Sequence, residues 1–252
     1  IISVLNQKPE RVLSTPEIIT ALSDVDNEAV VETQQEPFIL YVEGEDDERI
    51  LNGWASILNK QHILKRFYIK TMGGPAKNEM QTKAISHFKG LKKIVPKLKQ
   101  LIIFDYDTEQ SYHPEPGNPA LFEWKRKNIE NYLLVPEVWK RAVLDKRNET
   151  VSNLVNQPIL EVINDFFVEQ NLTLPKGKTW RNVSANIFSE VNGKKILFDQ
   201  ADSLFQRISI KCGLKINRET LSNNFKPEEL HQDVVDLFDM LAATLGVCIA
   251  GA

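Results

Sequence analysis

Cysteine is nearly missing: Cys212 and Cys248 are the only two in 252 residues. Two distant thiols make neither a disulfide framework nor a cysteine-rich zinc site. Histidine is as sparse, with His62, His87, His113 and His231 scattered along the chain. Any metal bound here must therefore be held by oxygen. No run approaches the ~18 consecutive apolar residues of a membrane span. The first residues, IISVLNQKPERV, lack the basic, apolar, small-residue order of a signal peptide. A soluble, cytoplasmic protein is expected. The phosphate-binding loop of ATPases is missing too, because GKT at 177–179 follows leucine at 172 where that pattern needs glycine. No Ser-His or Cys-His pair suggests a nucleophilic side chain.

What remains is an ordinary globular composition, 42% hydrophobic and 26% charged, enough for a substantial core. The net charge of −3 hides a segregation along the chain. Residues 1–50 carry three Lys/Arg against twelve Asp/Glu, and residues 60–100 carry eleven against one. The basic stretch is either a solvated helix face or a phosphate-tracking surface beside an acidic site.

Periodicity organises the chain. EPFILYVEG reads as a buried strand, followed by Ile50, Leu51, Trp54, Ile57 and Leu58 at helical spacing. RFYIKTMGG is a second strand closed by Gly73 and Gly74. A long helix follows, with Met80, Ala84, Ile85, Phe88, Leu91 and Val95 on one face and Lys89, Lys92 and Lys93 between them. LKQLIIFDYD is a third strand. Alternating strands and helices, with apolar strands, predict an α/β fold: a parallel sheet flanked by helices. SYHPEPGNP is a loop, and LFEWKRKNIENYLL a mixed strand or short helix. The chain then turns mainly helical, around 136–146, 155–170, 194–208 and 227–244, the last with a proline start. Residues 1–35 are polar and acidic with one short helix, LSTPEIITALS. The organisation expected is a leading segment at 1–35, a core at 36–135 and a helical region at 136–252.

Ligands of such sheets bind beyond the carboxyl ends of the strands, where both acidic clusters fall. The first strand runs into EGEDDE, five acids in six residues, and the third into Asp105 and Asp107. Glu43 and Asp47 flank the strand-to-helix turn, and Asp105 and Asp107 share one face. Four carboxylates crowded together must be hydrogen-bonded, protonated or neutralised by a cation, and Mg²⁺ or Mn²⁺ suits an all-oxygen set. For one such acid alone, a favourable place at a helix N-terminus is an equally good explanation.

YVEGEDDERIL, then MGG, then LIIFDYD resembles the Toprim domain shared by topoisomerases, bacterial primases and several nucleases. The likeness covers about 36–135. WKRKNIENYLL and VNGKKIL resemble segments of the overcoming-lysogenization-defect (OLD) nucleases, which join an ABC-type ATPase to a Toprim nuclease. That resemblance implies two Mg²⁺ or Mn²⁺ ions, with metal ligands at Glu43, Asp47, Asp105, Asp107 and Glu130, and catalytic roles for Glu43, Asp105 and Lys194. Asp46 is the alternative to Asp47, since the acidic run permits a slip of one residue. Glu130, among apolar neighbours, is otherwise half of a structural ion pair. Lys194 otherwise only opens a helix. Lys92, Lys93, Lys125, Arg126 and Lys127 are candidate nucleic-acid contacts or solvated charges, and Gly73 and Gly74 shape a turn.

The activity implied is a metal-dependent endonuclease or nickase acting on DNA, with RNA not excluded. The partners implied are an ABC-type ATPase, as a preceding domain whose remnant is 1–35 or as a separate chain, and a second copy in a homodimer. Antiviral defence is implied as the role. A topoisomerase would need a tyrosine-bearing gate region, and a primase a zinc module that the cysteines exclude. A non-catalytic Toprim scaffold would have no need of all four core carboxylates. A metal-dependent phosphatase, which attacks with an Asp, would leave the Glu43 cluster unexplained.

Overall fold

A computed structural model of the chain describes residues 26–73, 77–106, 120–147 and 157–247. The expected helix at LSTPEIITALS, the SYHPEPGNP loop, Gly74 and Asp107 lie outside these residues. Four strands, β1 (Phe38–Val42), β2 (Tyr68–Thr71), β3 (Lys99–Phe104) and β4 (Ala120–Glu123), form one sheet in the order β2-β1-β3-β4. Every pairing is parallel, with Leu40 opposite both Ile69 and Leu101. The α/β reading of the sequence therefore holds, as does the helical region after the sheet.

Alternation along the strands assigns the two faces. Phe38, Leu40 and Val42 of β1 and Leu101 and Ile103 of β3 face α2 (Glu45–Ile57), which contributes Ile50, Leu51, Trp54 and Ala55. Ile39 and Tyr41 with Ile102 and Phe104 face the other way, against Ala29 of α1 (Asn27–Gln35) and Met80, Ala84 and Leu91 of α4 (Lys77–Ile94). A short helix, α3 (Gln61–Leu64), links α2 to β2. All five β1 side chains are buried, as a central strand covered on both faces requires. The apolar cluster on the α2 face continues into the helical region, through Val138 and Trp139 of α5 (Pro136–Arg147) and Ile163 and Phe166 of α6 (Gln157–Glu169), as far as Leu241.

Two helix predictions need revision. The helix expected over 194–208 is interrupted. A π-helical turn at Lys195–Asp199 ends, and Ser203 caps a new helix, α8 (Leu204–Cys212), by accepting from the Gln206 N–H. A short α7 (Asn186–Glu190) precedes that turn, and α9 (Arg218–Ser222) follows α8 and lies against α2. Pro227 opens only a 3₁₀ turn, and α10 (Gln232–Thr244) begins later, capped by His231. The mixed segment after β4 is a 3₁₀ helix, Ile129–Leu133. Among the described residues no helix is long and apolar enough to cross a membrane.

Candidate functional site

Beyond the carboxyl ends of β1 and β3 lies a cleft of about 260 Å³, lined by Glu43, Asp47, Asp105, Glu130, Lys194 and Gly73 among others. Each reaches it by a separate local device. β1 ends at Val42, leaving Glu43 in the turn, and the extended Gly44 starts α2. Asp47, in the first turn of α2, folds back so that its Oδ2 accepts from the Gly44 N–H at 3.0 Å. This cap fixes the carboxylate at the sheet edge and removes one unpaired N–H of the helix start. Asp105 leaves β3 and accepts from the Ile129 N–H at 3.1 Å, which ties the strand end to the 3₁₀ helix carrying Glu130. The turn after β2 donates Gly73 N–H to the Glu43 carbonyl at 2.9 Å, with a φ of 50° that favours glycine.

Lys194 is delivered by a pair of asparagines. Asn131, fully buried, accepts from the Gly193 N–H at 2.9 Å and donates to the carbonyls of Phe188 and Val191. Asn128 accepts from the Lys194 N–H at 3.4 Å and donates to Asn192 at 3.3 Å. A Cβ on Gly193 would stand 2.6–3.0 Å from Asn131, so only glycine lets the two segments meet. VNGKKIL and KNIENYLL are thus one clamp, and its product is a lysine whose charge is felt by Glu130.

The acidic groups share one field. Asp47 is pushed up to about 7, above all by burial and then by the charges of Glu130 and Glu43, against the opposing Gly44 hydrogen bond. Burial also lifts Asp105 well above the ordinary carboxylate range, reinforced by Asp47, Glu43 and Glu130. Glu130 is raised by its own burial, with Arg218 and Lys194 pulling the other way. All three shifts favour the protonated carboxyl, and an added positive charge would oppose them.

Asp46 and Asp47 both line the cleft, and the cap gives them different neighbours. Asp46 turns toward Arg49 and Arg218, at 3.0 Å from each, whereas Asp47 faces the other acids. Among the described residues no group of three or more Asp, Glu, His or Cys side chains stands close enough together to hold a metal ion. The donors share a cleft without being gathered into a ligand shell. Carboxylate oxygens from independent segments are the donors a hard cation takes, and a divalent ion there would relieve their mutual repulsion.

The expected basic surface is largely elsewhere. α4 starts past the carboxyl end of β2 and returns to the start of β3, so Lys92 and Lys93, in its last turn, sit at the far end of a helix ~27 Å long. They do not flank the cleft. Arg126 is 4% exposed, stacks on Tyr132 and Phe188, and donates to the carbonyls of Asn131 and Val183, so it is a core guanidinium and not a backbone contact. Lys125 pairs with buried Asp233 at 2.6 Å, and Lys127 is exposed.

Sequence reasoning missed Arg218. Its Nε lies 3.0 Å from Glu130 and its Nη1 3.0 Å from Asp46. Nothing in the local spacing of NRETL marks it. The asparagine clamp left a fainter signal, since Asn128 and Asn131 bracket Glu130 in an otherwise apolar segment. No protein-family model matches the chain, and no curated protein or solved structure is significantly similar to it.

Proposed function

We propose that the chain is a divalent-metal-dependent nuclease that hydrolyses phosphodiester bonds of nucleic acid, in the manner implied by its resemblance to the Toprim domain of OLD nucleases. One observation carries the reading. Carboxylates from the β1–α2 turn, the end of β3 and the 3₁₀ helix converge on one cleft at the edge of a parallel sheet, beside a lysine held there by its own clamp. Single hydrogen bonds to Asp47 and Asp105 account for where each sits, but not for gathering like charges in one cleft, which raises the energy of the empty site.

Glu43, Asp47 and Asp105 would hold the cation, with Glu130 behind them and Asp107 following Asp105 in the chain. Mg²⁺ or Mn²⁺, as two ions in the reading that the resemblance implies, supplies Lewis acidity toward a phosphoryl oxygen and a bound water of lowered pKa. Lys194, exposed at the rim, would meet the negative charge that accumulates on the non-bridging oxygens. The Gly73 turn lets a sugar-phosphate backbone approach without a side chain in the way. DNA is the proposed substrate, an ABC-type ATPase the proposed partner, a homodimer the proposed assembly, and antiviral defence in the cytoplasm the proposed setting.

The test is cleavage of supercoiled plasmid, linear DNA and total tRNA in Mg²⁺, Mn²⁺ or EDTA. Plasmid nicking should require the metal and fall by about a hundredfold or more in Asp105→Ala and Glu43→Ala. Cleavage of tRNA alone would transfer the reading to RNA. Metal binding with no cleavage of any substrate would leave a scaffold and end the nuclease reading.

A further inference from the structure

Arg218 lies behind the cleft and not in it. Its side chain is 13% exposed and is gripped from three sides. Nε faces Glu130 Oε1 at 3.0 Å, Nη1 faces Asp46 Oδ2 at 3.0 Å, and the guanidinium carbon sits 4.0 Å from the centre of the Phe198 ring. Those partners belong to the 3₁₀ helix, to α2 and to the π-helical turn after Lys194. One planar cation therefore joins the three segments that carry Glu130, Asp47 and Lys194. Glu130 is 3% exposed, and a carboxylate so enclosed needs a charged partner. The arginine ion pairs of the cleft fall on Glu45, Asp46 and Glu130, while Asp47 feels the negative charge of Glu130 and Glu43, and Asp105 that of Asp47, Glu43 and Glu130.

We infer that Arg218 is a built-in counter-cation that shares Glu130 with an external one, so that the site fills in order. The inference rests on the metal reading above. A first divalent ion would go to Glu43, Asp47 and Asp105, with which no arginine pairs among the described residues, Arg49 being held by Glu45 and Asp46. A second ion that draws on Glu130 must first displace the Arg218 guanidinium, and binds more weakly for that reason. Arg218 is a positioning residue: it acts through Glu130, and it keeps the three segments registered while the cleft is empty.

The test is a Mn²⁺ titration of the whole chain, read by calorimetry and by the electron paramagnetic resonance signal of free Mn²⁺. The wild type should show one tight ion and a second weaker by about tenfold or more, since a charged hydrogen bond must be broken for it. Arg218→Gln should bring the two affinities together by tightening the second. Arg218→Lys, which keeps the charge but loses the fork, should fall between. Glu130→Gln should abolish the weak phase and leave the tight one. An Arg218→Gln isotherm superimposable on the wild type, or two equal ions in the wild type, overturns the inference. Should Arg218→Gln fail to fold, a weak phase that survives in Glu130→Gln overturns it equally. A wild type that binds no Mn²⁺ at all removes the metal reading itself.

Discussion

Raising the pH in the absence of metal should destabilise this protein, and Asp47 is the residue through which the effect can be read. Its folded carboxyl titrates at about 7 against an ordinary 3.8, a difference of about 3 pH units, or ~4 kcal/mol at most. The side chain keeps an edge toward the open cleft, where solvent screens the field, so ~2 kcal/mol is the better figure. The sign follows from proton counting. Between about pH 4 and pH 7 the folded state holds a proton that the unfolded chain has lost, so stability is greatest at the acid end and declines until about pH 7. Asp105 and Glu130 are shifted the same way and deepen the decline. His87 works against it, since burial lowers its pKa and its contribution shrinks as the pH falls below ~6.5. The informative quantity is thus the melting temperature of the wild type minus that of Asp47→Asn, which keeps a capping oxygen but has no charge to gain. In EDTA that difference should move by about 4–8 °C between about pH 5 and pH 8, in favour of the variant at the alkaline end. Mn²⁺ at about a hundred times its dissociation constant should restore ~2.7 kcal/mol to the wild type at pH 8, and far less at pH 5, where the ligands are protonated. A difference that ignores pH, with a wild type that ignores Mn²⁺, would refute the claim that Asp47 sits in a field of uncompensated negative charge.

Two further outcomes follow from the clamp and from the direction of α4. Gly193→Ala should cost ~1–3 kcal/mol in chemical denaturation, because a Cβ there stands 2.6–3.0 Å from Asn131, and cleavage should fall along with Lys194→Ala as the lysine is displaced. Lys92→Ala with Lys93→Ala should leave DNA affinity and its salt dependence unchanged, measured by fluorescence anisotropy over a salt series, whereas Lys194→Ala should lower the salt slope by about one unit.

The sheet is legible in the sequence because its signal is local. FILYV and the LIIF that ends KQLIIF are apolar throughout, and only strands covered on both faces tolerate that. The acids at their ends can then be placed together, since parallel strands bring the same ends to one edge. The slip between Asp46 and Asp47 is not legible, because neighbours at a helix start differ by about 100° in direction, and only the structure shows Asp47 capped by Gly44 and Asp46 paired with arginines. Arg218 is invisible for a different reason. It pairs with Glu130 across 88 residues, and no periodicity relates the two. The lysines of α4 are plain as a basic run, but their place is not, because a helix that connects parallel strands must end away from the cleft that it starts beside. The break at 200–203 has a readable cause in Ser203, a hydroxyl residue preceding a new apolar stripe.

The same contrast bears on why the cleft stays assembled when empty. Repulsion among Glu43, Asp47, Asp105 and Glu130 would splay their segments apart if each hung from a free loop. The Gly44 N–H holds Asp47, the Ile129 N–H holds Asp105, and Arg218 holds Glu130, so each of these three acids is fixed by a donor of its own. Glu43 alone is held only through its main chain, whose carbonyl accepts from the Gly73 N–H. Its side chain is exposed and is the one acid with room to swing, which makes it the residue that must move least far against structure to complete a cation's shell. Three fixed carboxylates and one exposed one would let a cation bind in a cleft without a preformed ligand shell at the cost of ordering a single side chain, about 1–2 kcal/mol.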